Sequence, residues 1–195
     1  MQWVPFLLYV FVSSFTPGPN NILSLTYASR YGYRKTLGFI LGVMTGTAII
    51  SIGSSYLNLL LVHLLPKMEL GMRLLGALYM LYLAIKIMRN HSKATVQSEE
   101  KANFFLSGLI LQFINPKVII YAITTISTFI IPVYHSNASL LLFSLFLGFV
   151  GFLSTSSWAI FGALFQNLIS KYQRAFQIGM GLLLLYSAIS IVFPV

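Results

Sequence analysis

From Val118 to Ser170 the chain runs for 53 residues without an Asp, Glu, Lys or Arg, and residues 1–29, 36–66 and 175–195 are equally free of charge. A helix that crosses the hydrocarbon core of a bilayer needs about 20 such residues. A water-soluble globule is effectively excluded, because 57% of the 195 residues are hydrophobic and only 8% charged, against about a quarter charged in an ordinary soluble domain.

The Val118–Ser170 run is too long for one span, and the turn-rich segment Pro132-Val133-Tyr134-His135-Ser136-Asn137 divides it. The chain therefore reads as an all-α integral membrane protein, one transmembrane domain over residues 1–195. Its six spans lie near residues 4–28, 36–62, 69–88, 103–131, 139–165 and 175–193. Met1-Gln2-Trp3-Val4 has no positive n-region and Ser13-Ser14-Phe15-Thr16-Pro17 is a poor cleavage site, so the first helix is expected to be retained. The longest loop, about residues 90–102, is polar and mixed in charge and reads as a solvated linker. Assigning loops alternately to two sides collects Arg30, Arg34, Lys35, Lys86, Arg89, Lys93, Lys101, Lys171 and Arg174 on one face, with Lys67 and Arg73 towards the other. The positive-inside rule makes the richer face cytoplasmic, in a cell membrane, with both termini outside.

Several function classes fall away. The net charge of +9 is spread between apolar runs rather than clustered on a watery face, which argues against a nucleic-acid partner. With no cysteine there is no disulfide scaffold, thiolate metal site or thiol electron carrier. Aspartate is absent, and Glu69, Glu99 and Glu100 sit at a helix start or in a loop, so an intramembrane carboxylate relay is not expected. No GxxxxGK(S/T) phosphate loop is present, and His63, His91 and His135 are too scattered for a metal site. No catalytic residue, cofactor or metal is expected, and the chain does not read as an enzyme; a non-transport scaffold is the different-class alternative.

An offset of 104 residues aligns Arg73–Met88 with Gln177–Val192 and makes six of 16 positions identical, among them Leu81, Tyr82, Ala84 and Ile85 with Leu185, Tyr186, Ala188 and Ile189. A weaker echo at 99 residues sets Thr16-Pro17 against Asn115-Pro116. Two copies of a three-helix unit follow, about residues 1–89 and 103–195, and an odd number of spans per copy inverts the second. Inverted repeats with interrupted helices point to a secondary transporter whose site lies at the interruptions.

Both interruptions are visible. Thr16-Pro17-Gly18-Pro19-Asn20-Asn21 cannot continue a helical hydrogen-bond ladder, and exposed backbone at membrane depth must be buried in protein or line a watery cavity. Asn20 and Asn21 can cap the second half-helix or touch substrate, and its amino terminus suits a carboxylate. The matching break is Gln112-Phe113-Ile114-Asn115-Pro116-Lys117, where Lys117 is the one cation well inside an apolar run, facing the cavity or snorkelling to the headgroups. Gly38, Gly42 and Gly46 recur every four residues and read as a close helix-packing stripe, within the protomer or in a homodimer. Tyr82, Tyr121 and Tyr186 sit deep enough to serve as polar handles in the core.

Phe15-Thr16-Pro17-Gly18-Pro19-Asn20-Asn21 opening the first half and Asn115-Pro116-Lys117 opening the second resemble the lysine exporter (LysE/RhtB) superfamily of amino-acid exporters, over essentially the whole chain. Leu111-Gln112-Phe113-Ile114-Asn115 with Lys117, then Tyr121, Thr124 and Ser127-Thr128-Phe129 before Pro132, looks most like its cysteine/O-acetylserine branch. The resemblance implies export of a small-molecule amino acid across the lipid bilayer, with threonine- or homoserine-type substrates as the alternative. Exporters of basic amino acids in the family tend to carry an aspartate after the second-helix glycine. Here Gly46 is followed by Thr47, which favours a small neutral substrate.

Overall fold

The computed structural model describes residues 2–89 and 103–192, with the backbone alone for 59–69. The loop at about 90–102, expected to be a solvated linker, lies outside the described residues. All regular structure in the described residues is helical: α1 (Trp3–Phe15), α2 (Pro19–Tyr31), α3 (Tyr33–Tyr56), α4 (Asn58–Arg89), α5 (Phe104–Ile114), α6 (Pro116–Thr125), α7 (Asn137–Leu164), α8 (Gln166–Lys171) and α9 (Gln173–Val192). A π-helical turn, Ile126–Ile130, extends α6.

Among the described residues four helices are long and apolar enough to cross a bilayer, namely α3, the Leu70–Arg89 part of α4, α7 and α9; the pair α5–α6, bent by 66°, makes a fifth when it is counted as one span. The first expected span does not qualify by length and apolarity. The break after Phe15 leaves α1 with 13 residues, about 20 Å at ~1.5 Å per residue. α2 beyond it is polar, and its Asn21, Ser24 and Thr26 are buried against other helices rather than offered to lipid. A second difference concerns the connection between the second and third spans, expected between residues 62 and 69, whereas α3 ends at Tyr56 and α4 begins at Asn58 with Leu57 between them. Residues 57–66 are almost entirely apolar, so hydropathy cannot mark a reversal inside them.

Helix α3 is the centre of the assembly and packs most extensively on α5 and α7; α2 packs on α7 and α4 on α9. The glycine stripe makes the α3–α5 contact possible. A Cβ on Gly42 would collide with the Phe105 carbonyl, one on Gly38 would press on Phe104 and one on Gly46 would fall 2.6 Å from the Gln112 side chain. On the other side of the crossing Gly108 lies against the Phe39 carbonyl. The stripe is thus spent inside the protomer. Between α2 and α3, Gly32 takes φ +80 with its N–H bonded to Ala28 O, a left-handed reversal that L side chains rarely adopt.

Among the three tyrosines expected in the core, only Tyr121 is buried. Tyr82 and Tyr186 are 58% and 68% exposed on the outer faces of α4 and α9. Their helices turn Ala84 and Ala188 inwards instead, beside the buried Leu83, Ile87 and Leu184.

Candidate functional site at the two helix breaks

The residue before a proline is driven to extended backbone, and Thr16 accordingly ends α1 at ψ 150 while Pro19 opens α2. A helix that ends inside a membrane leaves its last carbonyls without partners, and here side chains from four helices supply them. Asn21 Nδ2 donates to Ser14 O at 2.8 Å and Thr16 O at 2.9 Å. Ser154 Oγ on α7 reaches Ser14 O at 2.7 Å, with a second contact of 3.0 Å to Asn21 Oδ1. Trp158 Nε1 donates to Phe15 O at 3.3 Å, and Ser187 Oγ on α9 to Pro17 O at 3.2 Å.

Lys117 completes the set from the other broken helix. Its Nζ lies 2.9 Å from Thr16 Oγ1 and 3.3 Å from both the Thr16 and Pro17 carbonyls. The ammonium therefore points to the first break and not to the headgroups, and its charge complements the negative carboxyl end of α1. Gly18 leaves room for it, since a Cβ there would sit 3.2 Å from Nζ.

The second break is joined to the first through amides. Asn20 Nδ2 donates to Gln112 Oε1 at 2.8 Å, Gln112 Nε2 donates to Asn20 Oδ1 at 3.2 Å and to Gly108 O at 2.7 Å, and Asn115 Nδ2 approaches Asn20 Oδ1 at 3.4 Å. Asn115 also caps α6, accepting from Lys117 N at 3.2 Å. Neither Asn20 nor Asn21 caps α2, whose first turn has no side-chain cap; the asparagines are committed to the opposite break and to α1.

These groups surround a cavity of about 50 Å³, room for a few water molecules. Gly18, Pro19, Asn20, Asn21, Asn115, Lys117 and Tyr121 line it. Thr16 and Pro17 touch it through their bonds to Lys117, and Gln112 lies behind Asn20. Pro116 is elsewhere, with its ring against Gly76 of α4, where a Cβ would overlap it. Tyr121 receives a 3.4 Å hydrogen bond from Ser14 Oγ and stacks on Tyr9. Sequence reasoning missed Ser13, Ser14, Ser154 and Thr155 on the lining, where Thr47, read from the sequence for its bearing on substrate charge, also lies. The consecutive hydroxyls Ser154-Thr155-Ser156-Ser157 in an otherwise apolar span were the available signal. No group of metal-binding side chains occurs among the described residues.

A multi-pass helical bundle in which two interrupted helices meet over a small cavity that amide, hydroxyl and ammonium groups reach is the build of a membrane translocator. The chain belongs to the LysE type translocator family, which matches it over residues 11–193. It is 37% identical over 187 residues to the cysteine/O-acetylserine efflux protein of Klebsiella pneumoniae subsp. pneumoniae, covering 96% of this chain and 95% of that one. To the protein of the same name from Escherichia coli strain K12 it is 32% identical over 188 residues, covering 96% of each. No solved structure matches it. The protein is thus a transporter of the membrane and not an enzyme.

Proposed function

We propose that this protein exports small neutral amino acids from the cytoplasm, with cysteine and O-acetylserine as the first substrates to test, by alternating access at the paired helix breaks. The observation that carries the reading is the cavity at which the two breaks meet, with Lys117 of one bonded to the exposed carbonyls of the other. The names of the relatives support the substrate class.

A zwitterion needs acceptors for its ammonium and donors for its carboxylate. The Lys117 ammonium occupies the Thr16 and Pro17 carbonyls, the place a substrate ammonium would take. On binding, the substrate displaces it; the freed Lys117 and the uncapped first turn of α2 then take the carboxylate. Because the described side chains include no carboxylate, a second cation on the substrate finds no counter-charge, which disfavours lysine and arginine.

The moving parts in this reading are two inverted units, residues 1–89 and 103–195, within one transmembrane domain of six spans, counting α1 with α2 as the first. The packing pattern agrees with the exchange at two contacts: swapping the units maps α3–α7 and α4–α9 onto themselves. In the proposed orientation the Arg30, Lys86 and Lys171 face is cytoplasmic and both termini are outside the inner or plasma membrane. A homodimer would need a surface other than the glycine stripe of α3.

The test is efflux from proteoliposomes loaded with radiolabelled O-acetylserine, cysteine, threonine, homoserine or lysine, with and without imposed pH and potential gradients. Saturable efflux of the first two supports the reading, and its gradient dependence identifies the coupling. Efflux of threonine or homoserine alone reassigns the substrate; efflux of none from folded protein overturns the proposal.

A further inference from the structure

A second cavity, of about 280 Å³, opens between α2, α4 and α5 and shares no lining residue with the one at the helix breaks. The apolar cluster of Phe39, Val43 and Leu111, with Leu23 and Tyr79 packed on it, contributes to the walls of both and keeps them apart. We propose that this second cavity binds an anionic phospholipid, holding its phosphodiester between Arg30 and Lys86.

Three observations converge. Arg30 and Lys86, from the last turns of α2 and α4, line the same cavity, and neither makes a hydrogen bond or ion pair with a described residue. The described side chains include no carboxylate, so the two cations on this cavity have no counter-charge within this part of the chain. The rest of the lining sets the hydroxyl-bearing Tyr27, Tyr79 and Ser107 beside an apolar side formed by Leu83, Ile87 and Leu111, which leads to Ile110 and Ile114, 47% and 53% exposed on the outer surface. A charged end at the helix termini and an apolar track towards the lipid-facing surface fit one acidic lipid, headgroup and acyl chain together. A zwitterionic solute would leave the apolar side unused and find no carboxylate for its ammonium among the described side chains.

The full chain is purified in mild detergent and examined by native mass spectrometry with phosphatidylglycerol and phosphatidylcholine of identical acyl chains. Wild type is expected to retain phosphatidylglycerol preferentially, with a preference that falls about fivefold for each cation removed in Arg30→Gln and Lys86→Gln, the size of one basic side chain's attraction to an acidic headgroup. The charge-conserving R30K/K86R variant keeps the preference. Lys171→Gln, which removes a cation from outside the cavity, leaves it unchanged, and so does millimolar glycerol phosphate, which carries the headgroup chemistry without a tail.

Equal retention by wild type and R30Q/K86Q overturns the proposal, as does an equal loss in K171Q, which would reduce the effect to bulk charge. Displacement of the lipid by glycerol phosphate would make the site one for a soluble anion. Disappearance of the R30Q/K86Q effect in an E99Q/E100Q chain would give the two cations to the chain's own acids.

Discussion

Asn20 and Gln112 trade hydrogen bonds in both directions across the two broken helices, at 2.8 Å and 3.2 Å, although 92 residues separate them in sequence. Gln112 is fully buried, and its remaining amide hydrogen goes to Gly108 O. With both hydrogens and its oxygen engaged, Gln112 has no spare donor, so the breaks cannot part without leaving its buried amide unpaired. Such a pair opens only when another polar group replaces one partner. An amino acid, which has both a carboxylate and an ammonium, can replace either.

The first prediction concerns that coupling. Asn20→Ala and Gln112→Ala each leave a partner amide stranded, at a cost of about 1–3 kcal/mol. The double variant is expected to lose less than the sum, by an interaction energy of about 0.5–3 kcal/mol. Reversible unfolding in detergent, read by circular dichroism, measures all four corners of the cycle. Strictly additive losses would mean that the two amides do not hold the breaks together.

Lys117 supports a second prediction through Gly18. Lys117→Met removes the ammonium from the Thr16 and Pro17 carbonyls and is expected to abolish export while the protein still reaches the membrane. Gly18→Ala keeps the ammonium but places a Cβ 3.2 Å from it, so Lys117 must shift. Its expected signature is a raised KM for efflux with a small change in melting temperature. Wild-type kinetics in both variants would remove Lys117 from the site.

Glycines give a third, purely structural contrast. Gly42→Ala and Gly108→Ala put a methyl group into the backbone of the facing helix at the α3–α5 crossing, an overpacking worth about 1–3 kcal/mol of lost stability. Gly179→Ala, in α9 where nothing lies within 4 Å of the added Cβ, should be neutral or stabilising by about 0.5–1 kcal/mol, since alanine is the better helix former. Thermal melts of the three variants in one detergent decide it. A destabilised Gly179→Ala would show that helix α9 meets a surface there.

Much of this was legible in the sequence because bilayers impose long uncharged runs and prolines impose breaks. The helix breaks at Pro17 and Pro116 and the turn from Pro132 to Asn137 all follow from local chemistry. The turn at Leu57 does not, because Leu57–Pro66 is as apolar as the helices around it. Nor could sequence spacing reveal that Lys117 would cap the end of α1: that depends on a contact across 101 residues. The hydroxyls of Ser154 and Thr155 were visible but ambiguous, since serine and threonine in apolar helices often bond only to their own backbone. Thr155 does bond to Gly151 O, while Ser154 alone crosses to α1.

The absence of cysteine allows a fourth prediction, because any introduced thiol is the only one in the chain. His135, in the turn between α6 and α7, and Ser170, in α8, lie at opposite ends of α7. In the proposed orientation, His135→Cys in intact cells reacts with a membrane-impermeant maleimide, and Ser170→Cys reacts only after the membrane is permeabilised. The reverse pattern would invert the protein and make the same machinery an importer-facing arrangement; labelling of both in intact cells would deny α7 its span. Ser13→Cys, on the cavity lining, extends the measurement to the site. Its labelling is expected to slow when O-acetylserine is present and not when lysine is present. A thiol there that ignores O-acetylserine would place the substrate somewhere other than the meeting point of the two breaks, even if the topology were correct.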